Sequence, residues 1–142
     1  MDNVIKVLQS ALTVVSGFLG YFIGGCDGLV IALLSFVVID YITGVFLAFE
    51  KKEISSEVGF HGICKKVLIF ILVGVANILD VHVIQTGAIL RTATIFFYLA
   101  NEGISILENA SALGLPVPKK IQDALAQLRK KSEDDTDTDK KS

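Results

Sequence analysis

A chain of 142 residues with 52% hydrophobic side chains, a mean hydropathy of +0.62 and a net charge of −2 is more apolar than an ordinary globular domain. The length allows one compact unit and no second folded domain, and with no nucleophile and base, metal cluster or phosphate loop in view no enzyme is expected and no cofactor is called for. Cys26 and Cys64 fall near the ends of different apolar segments, so no disulfide is expected; His61 beside Cys64 has no second pair to complete a metal site, and His61 and His82 read as interfacial.

The first apolar segment is Val7 to Cys26, 20 residues without a charge behind Lys6. It is longer than the apolar core of a signal peptide and lacks a clear cleavage site, so a retained span is expected. Gly17, Gly20 and Gly24 are candidates for close helix packing through small-residue steps, although Gly24, Gly25 and Gly28 also suit a turn around Asp27.

The second segment, Leu29 to Phe49, holds 21 residues whose one formal charge is Asp40. At about 1.5 Å per residue a helix of that length crosses the roughly 30 Å hydrocarbon core of a bilayer. Asp40, Thr43 and Gly44 share one side of that helix, which should face protein or water. A carboxylate at this depth costs at least about 2.5 kcal/mol on insertion scales unless it is paired, protonated or turned into a bundle. Gluing helices together and lining a pore or gate are both open to it.

Glu50 to Lys66 is dense in charge and reads as an interhelical loop with at most a short helical turn. The third span is expected over 63–84, with Lys65 and Lys66 reaching back toward the headgroups and Asn77 and Asp80 near its far end. The chain turns around Gln85 to Gly87 and returns through a fourth segment, 88–107. There Arg91, Thr94, Tyr98, Glu102, Ser105 and Asn109 fall in a sector of roughly 80° on a helical wheel. The stripe runs about 27 Å at helical rise. It can line water where copies meet, pack inside a single bundle, or lie in the interface. Arg91 and Glu102 stand about 16 Å apart along the axis, so each needs a partner from elsewhere, Asp40 or Asp80 for Arg91.

After Leu107, Gly114 can end the helix and Pro116 and Pro118 fix an elbow. Pro118 then opens a short amphipathic helix in which Ile121, Ala124, Leu125 and Leu128 form an apolar stripe flanked by Lys119, Lys120, Arg129, Lys130 and Lys131. Such a helix fits the anionic inner leaflet or a cytoplasmic loop, and no aromatic residues interleave the basic ones as nucleic-acid binding would want. Residues 132–142 carry five acidic and two basic side chains with nothing apolar, which predicts a disordered tail.

The fold expected is therefore an all-α membrane protein: four transmembrane helices within 1–110 (or three, if the first segment is dropped), an elbow and basic helix over 111–131, and a charged tail. Twelve of the thirteen basic residues fall on one side of that arrangement, with Arg91 inside a helix, so both termini should be cytoplasmic.

Several of these parts carry a resemblance. Asp40-Tyr41-Ile42-Thr43-Gly44, the Lys-bearing loop with Ser55, Ser56 and Gly59 leading to Lys65 and Lys66, Asn101-Glu102 through Ser105 to Glu108-Asn109, and Gly114-Leu115-Pro116-Val117-Pro118-Lys119-Lys120 together resemble the phage lysis and toxin-secretion holin family of Gram-positive bacteria and their phages. The likeness spans about Leu29 to Lys131. It implies a small protein of the bacterial inner membrane that oligomerises with copies of itself among the membrane lipids and opens a lesion for a cytoplasmic endolysin or a toxin, with no catalytic residues; the composition of the basic helix and tail argues separately for no nucleic-acid partner. On that reading Asp40, Thr43, Gly44, Asp80, Arg91, Tyr98, Glu102 and Ser105 are candidates for gating or assembly. A small ion or solute channel and a non-conducting adaptor stand as alternatives.

Overall fold

The computed structural model describes every residue except Thr86 and 139–142, and the side chains only as far as Lys131 in the last helix. Five helices follow one another: α1 (Asp2–Phe22), α2 (Gly28–Glu50), α3 (Ser56–Ile78, widening into a π-helical turn over Leu79–Ile84), α4 (Ile89–Ala112) and α5 (Lys119–Thr138). Among the described residues there is no strand.

Local chemistry sets most of these ends. Asp27 caps α2, its Oδ1 accepting from the Val30 amide at 3.0 Å, and the Ser55 hydroxyl accepts from Val58 at the start of α3. α1 and α4 end alike: Gly24 donates to Tyr21 O and Gly25 to Gly20 O, as Gly114 donates to Ser111 O and Leu115 to Ala110 O. Both are paired closures over a left-handed residue, φ +81° at Gly24 and +84° at Gly114. α2 closes in the same way but with Lys52 in the left-handed position, φ 55°.

Several boundaries differ from expectation. α3 begins at Ser56, so the stretch 50–66 is mostly helix and the true loop is 51–55; charge density hid a Ser cap followed by Glu57 in the first turn. α1 starts at Asp2, not Val7, and ends at Phe22, leaving Gly24 in the turn, where a Cβ would press on the Asn77 and Arg91 side chains. α5 continues to Thr138 through residues expected to be disordered, since no Gly or Pro follows Pro118 to stop it; 139–142 of the expected tail lie outside the described residues.

The core lies between α2, α3 and α4, with Leu33, Val73 and Ile95 fully enclosed and Val30, Val37, Ile69 and Leu99 around them. α4 runs parallel to α2 along its length, from Arg91 against Asp27 to Asn109 against Asp40 and Thr43. α5 folds back along α4: Leu125 is buried on Gly103, and the Lys131 ammonium stands 5.4 Å over the Phe96 ring. The apolar stripe of α5 thus lies on the small-residue face of α4.

α1 buries no residue and packs on α3 at one end, where Phe22 covers Gly74 and the Asn77 amide donates to the Tyr21 and Phe22 carbonyls at 3.4 and 3.1 Å. Three helices, α1, α2 and α3 with its extension, are long and apolar enough to cross a membrane. α4 falls short of that measure because Arg91, Asn101, Glu102, Glu108 and Asn109 lower its hydropathy.

Candidate functional site

The polar side chains of the bundle gather in two places. One lies beneath the α2–α3 loop, where Lys66 of α3 reaches inward and sets its ammonium 2.6 Å from Asp40 Oδ2 of α2 and 2.6 Å from Glu102 Oε2 of α4. Asn109, two turns further along α4, donates to Asp40 Oδ1 at 3.1 Å and to the Thr43 hydroxyl at 3.0 Å, while Thr43 donates to its own helix at Asp40 O. Gly44 leaves room for the Asn109 amide, whose nitrogen lies 3.8 Å from where a Cβ would stand. One ammonium thus serves two carboxylates, and three helices are tied by a single side chain.

Lys66 does not reach for the headgroups as expected. Its stem crosses the bundle because Asp40 and Glu102 lie at the same level on the neighbouring helices, and an inward bridge offsets part of the cost of burying all three charges. Ser105 lines the groove beside this cluster. Tyr98 packs against the apolar core, its ring edge-on to Phe97 with centroids 5.1 Å apart.

The second place is the opposite end of the bundle, built around Arg91. Its Nε donates to Ile23 O at 2.6 Å, one terminal nitrogen to Asp27 Oδ2 at 2.8 Å and the other to Gly25 O at 3.1 Å. Two of those acceptors are carbonyls at the C-terminal end of α1, the negative pole of that helix, so the guanidinium binds a dipole and a carboxylate together. The hydrogen bond from Arg91 holds the Asp27 carboxyl below the usual carboxylate range, with the Val30 amide and the Arg91 charge adding to the effect against partial desolvation.

Neither carboxylate named for Arg91 answers its guanidinium. Asp40 is taken by Lys66, and Asp80 does other work: its Oδ1 and Oδ2 accept from the backbone amides of Leu90 and Arg91 at 3.0 and 2.8 Å. The π-helical turn, closed by Gln85 N on Asp80 O, swings this side chain under the start of α4, where it caps free amides at the positive pole. Asp27 is the true partner of Arg91; its place in a Gly-rich turn masked it, and the signal that pointed to it was its position as the one acid between the first two spans.

The polar stripe of α4 therefore faces into the chain. Arg91 and Glu102 are 4% and 9% exposed, which settles their direction, and among the described residues no buried side-chain nitrogen or oxygen lacks a partner. Gly17 and Gly20, candidates for packing, have no neighbouring atom within 4 Å of where a Cβ would stand and face outward on α1. In the elbow Gly114 closes α4, and the Pro118 carbonyl accepts from Ile121 and Gln122 to open α5; Pro116, Lys119, Lys120, Arg129 and Lys130 lie exposed or nearly so around it.

Comparison with known proteins places this geometry in context. The pattern of the bacteriophage holin family matches residues 17–130, which takes in both polar clusters, the elbow and the basic part of α5. A 14.9 kDa protein of the nagH 3′ region in Clostridium perfringens is 40% identical over 132 residues, covering 92% of this chain and 99% of that one. The protein Lin0175 of Listeria innocua is 44% identical over 116 residues, 82% of each chain. A probable holin of Bacillus phage phi105 is 38% identical over 102 residues, 72% of this chain and 75% of the other. No solved structure matches.

Proposed function

The chain belongs to the bacteriophage holin family, and from that premise we propose that it sits in the bacterial cytoplasmic membrane with both termini in the cytoplasm, associates with copies of itself and opens lesions through which an endolysin or toxin leaves the cell. The observation that carries this is the bridge from Lys66 to both Asp40 and Glu102. A protomer whose buried charges already have partners within the chain can accumulate among lipids without leaking. The same groups, once separated, become a hydrophilic surface that only an assembly can hydrate.

α4 is the fourth span in this proposal. It lies along α2 through the whole helix, and the pairing of Arg91 with Asp27 and of Glu102 with Lys66 offsets the polarity that lowers its hydropathy. α5 cannot then stay against α4 in lipid, because Lys119 to Lys131 holds six charged side chains. Charged residues cost about 2.5–3.5 kcal/mol each at the centre of a span. The helix turns on the Gly114 to Pro118 elbow and lies on the anionic inner leaflet.

Co-expression in a bacterium with a cytoplasmic cell-wall hydrolase tests the proposal. Abrupt lysis, dependent on both proteins, is expected. Ion leak without escape of the hydrolase would assign a channel, and neither effect would assign an adaptor.

A further inference from the structure

α1 and the groove between α2 and α3 are two unfilled surfaces at one depth. On α1, Lys6, Gln9, Ser10, Thr13, Gly17 and Gly20 recur at steps of three and four residues, so a polar and small-residue face runs along a helix that otherwise shows Leu8, Leu12, Val15 and Leu19. No residue of α1 is buried, and a polar face left in hydrocarbon is costly. The groove has a volume of about 610 Å³ and is walled by Gly44 and Ala48 of α2 and by Gly59 and Gly62 of α3. Its ionisable lining is Asp40, Glu53 and Lys66, with Glu102 bound to the same ammonium behind, so three carboxylates face one cation.

The register fits. α1 and α3 run in the same direction and meet at Phe22 and Gly74. Twelve residues back from that contact on each helix lie Ser10 and Gly62, and equal helical rise keeps them level. Lys6 then falls near the mouth of the groove, where Glu53 stands. Small residues on both sides permit close approach of the backbones.

We propose that α1 of a second copy seats in the α2–α3 groove, its Lys6, Ser10 and Thr13 face turned to Glu53, Gly62 and the Asp40 cluster. The chain's own α1 is pinned by Asn77 and Phe22 at its far end and leaves this groove open. Arm and groove are different surfaces, so each seated copy offers a fresh groove and a fresh arm. Such a contact builds rings or open arrays instead of a closed pair. This rests on the self-association proposed above and specifies its interface.

The test is disulfide trapping in native membranes with Cys26 and Cys64 replaced by Ala. Two differently tagged full-length chains are co-expressed, one carrying Ser10→Cys and the other Gly62→Cys, and oxidised; a second pairing uses Leu68→Cys on the opposite side of α3. A mixed-tag dimer at least about tenfold above the Leu68 control is expected, the gain that proximity gives through effective concentration. Lys6→Glu on the arm should lower that yield, and Glu53→Lys on the groove chain should restore it. In a third sample, where one chain carries both Ser10→Cys and Gly62→Cys, a bond formed only within that chain would overturn the proposal, as would Ser10→Cys pairing with itself in the first. If a bifunctional amine reagent still captures oligomers while the mixed-tag yield equals the control, this interface is wrong and self-association stands. If neither method captures an oligomer, both fall.

Discussion

Lys66 and Asp40, 26 residues apart in sequence, meet at 2.6 Å across the α2–α3 interface, and Glu102 completes the contact from α4 at the same distance. Removing the ammonium leaves two carboxylates facing each other in a largely enclosed site. K66M is therefore expected to lose about 3–5 kcal/mol of stability, the usual cost of stripping one partner from a buried pair. Thermal unfolding of the detergent-solubilised protein reads this directly, and K66M with the same midpoint as the native chain would show that the bridge contributes nothing.

Asp27 links pH to the Arg91 clasp. Arg91 lowers the Asp27 pKa in the folded chain, so the contribution of the pair is complete above the unfolded value, about pH 4, and is lost as pH falls through the lowered one. D27N keeps an acceptor for the Val30 amide but carries no charge for the guanidinium. Stability followed from pH 6 to pH 2 should fall less steeply in D27N than in the native chain, and parallel curves would count against the clasp.

The cap on α4 is testable apart from any charge pair. D80A frees the Leu90 and Arg91 amides and is expected to cost about 0.5–2 kcal/mol, the range for loss of a helix cap. Hydrogen exchange should quicken at the first turn of α4 and not at its C-terminal turn. Uniform acceleration along the helix would point to global destabilisation instead.

α5 rests on α4 through Gly103, where a Cβ would press on Leu125 and on Phe36. G103V should push α5 away while Asp40, Lys66 and Glu102 stay joined. In detergent, where no leaflet competes for α5, trypsin cleavage after Arg129, Lys130 or Lys131 is expected to accelerate, with the bundle itself left intact. Unchanged cleavage would show that α5 spends its time elsewhere than against α4.

Much of the fold is legible in the sequence, and what is not has physical causes. The inward face of α2 follows from one acid in 21 apolar residues, and the stripe on α4 from helical period alone. Period says which side a residue occupies but not which residue meets it, so it offers Asp40 or Asp80 to Arg91 while Asp27 holds it. Lys66 sits in a segment whose charge density mimics a loop, although Ser55 marks the helix start. Asp80 is not readable as a cap, because the π-helical turn that aims it depends on how α3 meets α4. The return of α5 along α4 is a tertiary choice between apolar surfaces, and neither helix encodes it locally.

The most direct test of the central claim is the onset of lysis in cells holding the chain and a cytoplasmic cell-wall hydrolase, compared at equal membrane abundance for the native chain, K66M and the neutral triple variant D40N/K66M/E102Q. Closed charges keep the protomer quiet, so K66M should trigger early, as its two carboxylates drive the helices apart toward water, and the triple variant should return toward the native onset. The same onset in all three would contradict the claim that this bridge governs opening.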